Sequence, residues 1–353
     1  MHLDFSGAGR SACFICRAGV HGGYAFSTEP HGVDSVFLRY LGRMQGLTTM
    51  TYEVTGRIAR ITLDRPARGN GITLDMPREL AACVEEASLD PRVHVLALAG
   101  NGKGFCGGYD LVASAEQKMD GMSGDAHAHG ASLPEGSPLD PLVMAKNHDP
   151  SGAWDPMVDY AMMSRNVRGF MALFHGDKPV VCKVHGFCVA GGTDMALCSD
   201  LLVIADDAKI GYPPARVWGV PTTSLWAYRL GAQRAKRLLF TGDCLSGKEA
   251  LEWGLAIEAP PPAKLDERFE ATLERIARMP VNQLVMMKLH VNQTILAQGL
   301  AAAQVMGTVF DGISRHTSEG YAFQKRAMEA GFRQAVRERD EPFGDAGPST
   351  FKG

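Results

Sequence analysis

HGFCVAGGTDMALCSD, residues 185–200, joins an apolar run to a glycine pair and then to an amphipathic stretch. PVVCKVHGF (179–187) leads into it as a strand, GGTDMALCSD (191–200) reads as a short helix, and LLVIADDAKIG (201–211) reads as the next strand. A strand that runs into Gly-Gly at a helix start leaves backbone N–H groups without an intrahelical acceptor, and the helix dipole favours negative charge there. Asp194 falls in the first turn of that helix, three residues after Gly191. GKGFCGGYDL (102–111) has the same plan. Neither turn matches G-x-G-x-x-G or G-x-x-x-x-G-K-[ST], which excludes dinucleotide and P-loop readings. Two such ends facing each other would make an oxyanion hole.

Outward from these turns the pattern is regular. IARITL (58–63) alternates, DRPARGN (64–70) is turn-like, DMPRELAACVEEASLD (75–90) sets Leu80, Val84 and Ala87 at helical spacing, and RVHVLALAG (92–100) is a β-rich run. VDYAMMSRNVRGFMALFHGD (158–177) is helical. Strands apolar on both faces, alternating with helices, predict an α/β core over residues 50–244. Within it, residues 118–156 are rich in Gly, Ser, Asp, His and Pro without periodicity, and are predicted to form a long loop insertion. Residues 245–340 read as helical: Ser246 and Glu249 make a capping box, Phe269, Leu273 and Ile276 share a face, and Pro280 ends that helix. Met286, Met287 and Met306 are assigned to packing against the core or a neighbouring subunit. Residues 1–49, glycine-bearing and aperiodic, read as a poorly ordered N-terminal extension, and 341–353 as a frayed tail.

Composition narrows the partners. Lys plus Arg number 36 against 39 Asp plus Glu, a net charge of −3, and no basic run supplies a nucleic-acid footprint. No apolar stretch approaches the roughly 20 residues of a membrane-spanning helix. MHLDFSGAGRSACFICRAGV lacks the apolar core of an export signal, and eight cysteines in a chain of 353 residues are no disulfide framework, so the expected location is cytoplasmic. Cys13-x-x-Cys16 lacks a second ligand pair and His127-x-His129 stands alone, so no metal site is expected.

The two glycine turns, DRPARGN before them and RLGAQRAKRLLFTGDCLSGKEALEWGLAIEA (229–259) after them together resemble the crotonase superfamily, the enoyl-CoA hydratase/isomerase family, over about residues 50–340. The resemblance implies an α/β spiral of ββα units, then a helical C-terminal trimerisation region, with homotrimers often paired into homohexamers. It implies an acyl-CoA thioester as substrate, with coenzyme A part of that substrate and no tightly bound cofactor. By position, the N–H groups of Gly107 and Gly191 correspond to the family's two oxyanion-hole donors. Ala67 and Arg68 fall where the family's early turn meets the CoA adenine and pantetheine arm.

Asp194 stands where hydratases of the family present a glutamate, close enough to a held thioester to move a proton at Cα or activate water. Burial would raise its pKa and the helix start would lower it, and a plain helix-capping role is the bland alternative. The family's second glutamate belongs just after GYP (211–213), but PARVWGVPTT (214–223) follows, and no carboxylate lies between Asp207 and Asp243. Tyr212, Arg216, Trp218 and Trp226 occupy that region instead, with Arg216 able to bind an acidic acyl group and the tryptophans to wall an aromatic one or to pack in the core. Asp110 is assigned to turn geometry, while Tyr109, His148, Trp154 and Asp155 are lid contacts. The expected function is an acyl-CoA-processing enzyme of the hydratase/isomerase family. An isomerase, a hydrolase, a C–C lyase or an inactive acyl-CoA-binding protein of the same fold are the alternatives.

Overall fold

The structure, a computed structural model, describes residues 46–110 and 136–344. β1 (Met50–Thr55) and β2 (Ile58–Leu63) pair antiparallel across a two-residue turn at Gly56, and β2 then runs parallel to β3 (Val95–Gly100). α1 (Met76–Leu89) makes the crossover, burying Met76, Leu80, Cys83, Val84 and Ala87. The 118–156 insertion is not featureless: α2 (Pro141–Asn147) starts on the side chain of Asp140, with Pro141 fixing the first turn. Seven residues are too few to show a period in the sequence. α3 (Pro156–His175) follows, capped by Asp155 and packed on α1, and β4 (Val180–Val184) joins the sheet beside β3.

Both later strand assignments divide. PVVCKVHGF splits at Gly186 (φ 58), where a Cβ would collide with the Lys103 carbonyl, so β5 (Phe187–Val189) leaves the sheet of β4. After α4 (Gly191–Ala196), LLVIADDAKIG splits at Asp206–Ala208 into β6 (Leu201–Ile204), beside β4, and β7 (Lys209–Gly211), beside β5. α5 (Leu225–Leu230) and α6 (Ala232–Thr241) lead to β8 (Cys244–Ser246), which completes a three-stranded sheet of order β5-β7-β8 against the five-stranded β1-β2-β3-β4-β6. The β4–β5 and β6–β7 steps each lay one strand in each sheet. The space between holds Leu63, Leu96, Leu98, Phe105, Met195 and Ile204, all sealed from solvent.

The C-terminal part is helical as expected. α7 (Gly247–Glu252) carries the Ser246/Glu249 capping box, and α8 (Leu265–Ala277) buries Phe269 and Leu273. α9 (Val281–Ala297), α10 (Leu300–Arg315), α11 (Ser318–Ala330) and α12 (Phe332–Asp340) follow, with α10 lying along α3. Met286, Met287, Leu289, Val305, Met306 and Phe310 of α9 and α10 are exposed. Before β1, the N–H and hydroxyl groups of Thr48 and Thr49 all donate to the Glu79 carboxylate. Most of the expected N-terminal extension, with Cys13 and Cys16, lies outside the described residues, as do His127, His129 and residues 345–353.

Two expectations are corrected here. The tail does not fray at Glu341: residues 341–343 form a 3-10 turn whose Phe343 ring lies 4.2 Å from the Arg216 guanidinium. Arg216 itself is not a substrate ligand. Its side chain is 1% exposed and pairs with Asp243 (3.2 Å) and Asp340 (3.0 Å), while Nε donates to Thr241 O. Buried charges are held by this kind of pairing, so the guanidinium is committed to tying α6, β8 and α12 together. Arg216→Met is expected to lose about 3 kcal/mol of unfolding free energy in urea denaturation, because Asp243 and Asp340 lose their buried partner and keep only the more exposed Arg237 and Arg339. Acyl-CoA affinity by calorimetry is expected to stay unchanged; a weakened affinity at intact stability would restore the substrate role.

Candidate active site

The first turn is assembled by Asn70, which adopts φ 54 and is wholly buried. Its Nδ2 donates to the carbonyls of Asn101, Gly104 and Phe105, and its Oδ1 accepts from Arg65 N. Residues 65–71 are thereby clamped against 101–106, leaving Ala67 and Arg68 exposed on the 3-10 turn Pro66–Arg68. Asp110, paired with Arg65 at 2.8 Å, serves turn geometry as expected.

This clamp corrects the first donor. Gly107 N–H donates to Gly69 O at 2.9 Å, so it is spent within the fold. Ile72 N donates to Gly108 O and Asp110 N donates to Ile72 O, which turns the intervening Tyr109 N–H to the opposite side. It meets no acceptor among the described residues. Gly191 is the first residue of α4 and its N–H likewise has none.

The two turns touch. A Cβ on Gly108 (φ 96) would stand 2.7 Å from Ala190 Cβ and 3.5 Å from Gly191 N, and one on Gly191 would stand 2.7 Å from the Tyr109 ring. Both glycines are therefore demanded by contact. Ala190 takes φ 55 and ψ −131, a region that L-residues occupy only when the surroundings hold them there. Its N–H is fixed on Gly211 O, which links the turn to β7.

Asp194 is 1% exposed and does not cap its helix. Its Oδ1 accepts from Thr223 Oγ1 at 2.8 Å and Thr223 N at 3.2 Å, while Oδ2 is buried with no hydrogen-bond partner among the described residues. Burial pushes this carboxyl up to about 7, against the Thr223 bonds that lower it and with help from the nearby Asp311 charge. A six-residue helix is too short to reverse that, so burial decides the question the sequence left open. The phenols of Tyr109 and Tyr212 are buried beside Asp194 and pushed well above their usual pKa, chiefly by burial.

Of the residues singled out from sequence, the structure brings Gly191, Tyr109, Asp194 and Tyr212 together. Trp218 packs instead on Phe323 of α11 at 5.1 Å, and Trp226 is a core residue. Thr223 and Asp311 were missed; nothing in their local sequence marks them. Also missed was a second polar cluster. Asp159 Oδ2 accepts from Asn147 Nδ2, Trp154 Nε1 and His316 Nε2, with Trp154 stacked on His316 at 4.7 Å and the His148 ring at 4.6 Å. Ligand atoms of His148, Asp159 and His316 lie within 4.8 Å of one another. The Asp159 oxygen already carries three hydrogen bonds, and Arg315 stands 3.5 Å from its other oxygen where a cation would be repelled. The cluster is built as a latch of residues 147–154 onto α10 and α11.

Comparison with known proteins follows the same lines. Models of the enoyl-CoA hydratase/isomerase family match residues 58–135 and 155–329. EchA13 of Mycobacterium tuberculosis is 31% identical over 263 residues, 70% of this chain and 74% of that protein. The 1,2-epoxyphenylacetyl-CoA isomerase of Escherichia coli is 26% identical over 67% of this chain and 78% of its own. The crystal structure of an enoyl-CoA hydratase from Mycobacterium smegmatis superposes with a TM-score of 0.80 at 57% identity, covering 88% of this chain and 99% of that one. Two glycine turns in backbone contact, a buried acid beside them and this breadth of likeness lead to one conclusion: the chain belongs to the enoyl-CoA hydratase/isomerase family.

Proposed function

We propose that the chain processes an acyl-CoA whose thioester oxygen is held between the N–H groups of Tyr109 and Gly191, with Asp194 moving the proton at the acyl carbon. The observation that carries this reading is Asp194 Oδ2: buried, without a hydrogen-bond partner among the described residues, and on a carboxyl that burial pushes up to about 7. Hydrogen bonds to the thioester oxygen would stabilise the enolate that forms when Cα loses its proton, the largest electrostatic contribution such a site offers. Above about pH 7 the carboxylate is the base; protonated, it returns the proton. The CoA arm is assigned to the exposed turn at Ala67 and Arg68, and coenzyme A enters as part of the substrate.

Within the family, proton transfer along the acyl chain fits better than hydration. One carboxylate can take and redeliver the same proton, whereas hydration calls for a second group, and none lies between Asp207 and Asp243. Hydratase activity is the second reading, since Asp194 could also activate water. The exposed apolar side chains of α9 and α10 support a homotrimer, or a hexamer of paired trimers. Among the described residues no helix is long and apolar enough to cross a membrane, and Cys83, Cys106, Cys182, Cys188 and Cys198 are buried thiols, which suits a reducing cytoplasm.

Asp194→Asn is expected to lose roughly 10²–10⁴-fold in turnover of an enoyl-CoA panel followed by mass spectrometry, with acyl-CoA affinity little changed. Full turnover in this variant would refute the acid/base role. The sign of the pH effect on folding is the reverse of an ordinary ion-paired aspartate. With the folded carboxyl raised to about 7, the wild type loses stability as pH rises from about 4 to about 7, so Asp194→Asn is expected to be the more stable protein at pH 8, by on the order of 3 kcal/mol. Denaturant titrations of both proteins at pH 4 and pH 8 check this.

Light scattering at micromolar concentration is expected to return three or six times the chain mass. A monomer would contradict the subunit interface assigned to α9 and α10.

A further inference from the structure

The grip on Asp194 does not come from its own neighbourhood in the sequence. Thr223, which donates twice to Asp194 Oδ1, ends a loop that is templated by α10. Gly219 N donates to Ser314 Oγ (2.8 Å), Val220 N to Asp311 Oδ1 (3.3 Å), and Ser224 Oγ to Ala303 O (2.9 Å), while Thr223 O accepts from Gln304 Nε2 (3.2 Å). Gly307 lets α10 come close enough: a Cβ there would stand 2.9 Å from Pro221 O. Asp311 is buried, and its Oδ2 pairs with Arg315 at 3.0 Å. Asp311 Oδ1 and Tyr212 Oη both flank the bare Cα of Gly219, at 3.7 and 3.5 Å from where a Cβ would be. Asp311 therefore stands on the rim of the site, with its charge directed at the loop.

We propose that Asp311 is a positioning residue for Asp194: from α10 it fixes the loop that grips the Asp194 carboxylate, and it supplies the second negative charge that the chain lacks between Asp207 and Asp243. This deepens the proposed function and rests on Asp194 being the acid/base. Asp194 is faced by Tyr109 from the turn after β3, Cys188 on β5, Cys198 beyond α4, Tyr212 after β7, Thr222 and Thr223 in the loop, and Asp311 on α10, which Arg315 pairs in turn. Asp159 on α3 faces Asp311 in turn. Burial keeps the phenols and thiols protonated near neutrality, which leaves Asp311, with Arg315 paired to it, as the charged group that acts on Asp194. Asp311 makes the Asp194 proton harder to remove; burial raises the pKa of Asp311 itself, and Arg315, which also lowers the Tyr109 and Tyr212 phenols, opposes that rise.

The test uses the full chain without ligand. The carbonyl stretch of the protonated Asp194 carboxyl is followed by infrared difference spectroscopy against pH, assigned by its absence in Asp194→Asn. Asp311→Asn keeps a carbonyl acceptor for Val220 N–H and removes the charge together with the Arg315 pairing, so the Asp194 midpoint is expected to move toward acid by about one pH unit, and the matching limb of kcat/KM to move with it. Arg315→Gln is expected to move the midpoint the other way. A purely structural Asp311 predicts no such opposed pair. Midpoints within about 0.2 unit of wild type in both folded variants, or shifts of the same sign, would overturn the proposal. If Asp311→Asn does not fold, Arg315→Gln decides alone: an upward shift supports the inference, and any other result overturns it. Failure of the parent reading looks different, because Asp194→Asn would then keep its turnover while these midpoints still move.

Discussion

The contact between two backbones, at Gly108 and at Ala190–Gly191, is the constraint on which the rest of the molecule hangs. It brings the ends of two strands from separate ββα steps so close that no side chain fits between them. Everything around it acts as a brace. Asn70 fixes the first turn by bonding three of its carbonyls, and the Gly211 carbonyl fixes the second through Ala190 N–H. The strain of Ala190 persists because sheet registry on both sides leaves it no alternative. With the turns locked, two N–H groups meet no acceptor among the described residues, and a carboxylate one helical turn further on is shut away from water. On the proposed function, donors held in this way need no rearrangement when charge develops on a bound oxygen.

Much of this was legible in the sequence, because glycine pairs after apolar runs carry a geometric meaning. The α/β class, the capping box at Ser246, the buried face of α8 and the place of Asp194 all followed from residue type and spacing. The first donor did not. Gly107 and Tyr109 flank Gly108, whose φ of 96 breaks the extended geometry that would aim both N–H groups to one side, and only the partner, Gly69 O, reveals which of the two is taken. Arg216 misled for a related reason. A lone cation in a stretch without carboxylates reads as a ligand for an acidic group, yet its partners, Asp243 and Asp340, come from far along the chain. Both undivided strand runs failed at Gly186 and at Asp206–Ala208, where apolar residues resume after a short polar or glycine break while the chain changes sheets.

The C-terminal helices emerge as more than a platform for neighbours. α10 presents one face to the loop that holds Thr223, another to α3, and its end to the latch formed by Asp159, Trp154 and His316. Arg315 stands between Asp311 and Asp159, one cation shared by two carboxylates. The insertion and the acid thus lean on the same helix, although they lie well apart in sequence.

The Arg216 node bears on the order in which the molecule can be built. Its pairing with Asp243 closes a short loop, but Asp340 and Phe343 complete it only from the far end of the described chain. A nascent chain that has made both sheets still holds a cation whose enclosure is unfinished, and long-range closure of this type is slow. Synthesis of the last helix is then the event that seals the core around residue 216, so a truncation before Asp340 would leave a complete spiral with an unsealed seam.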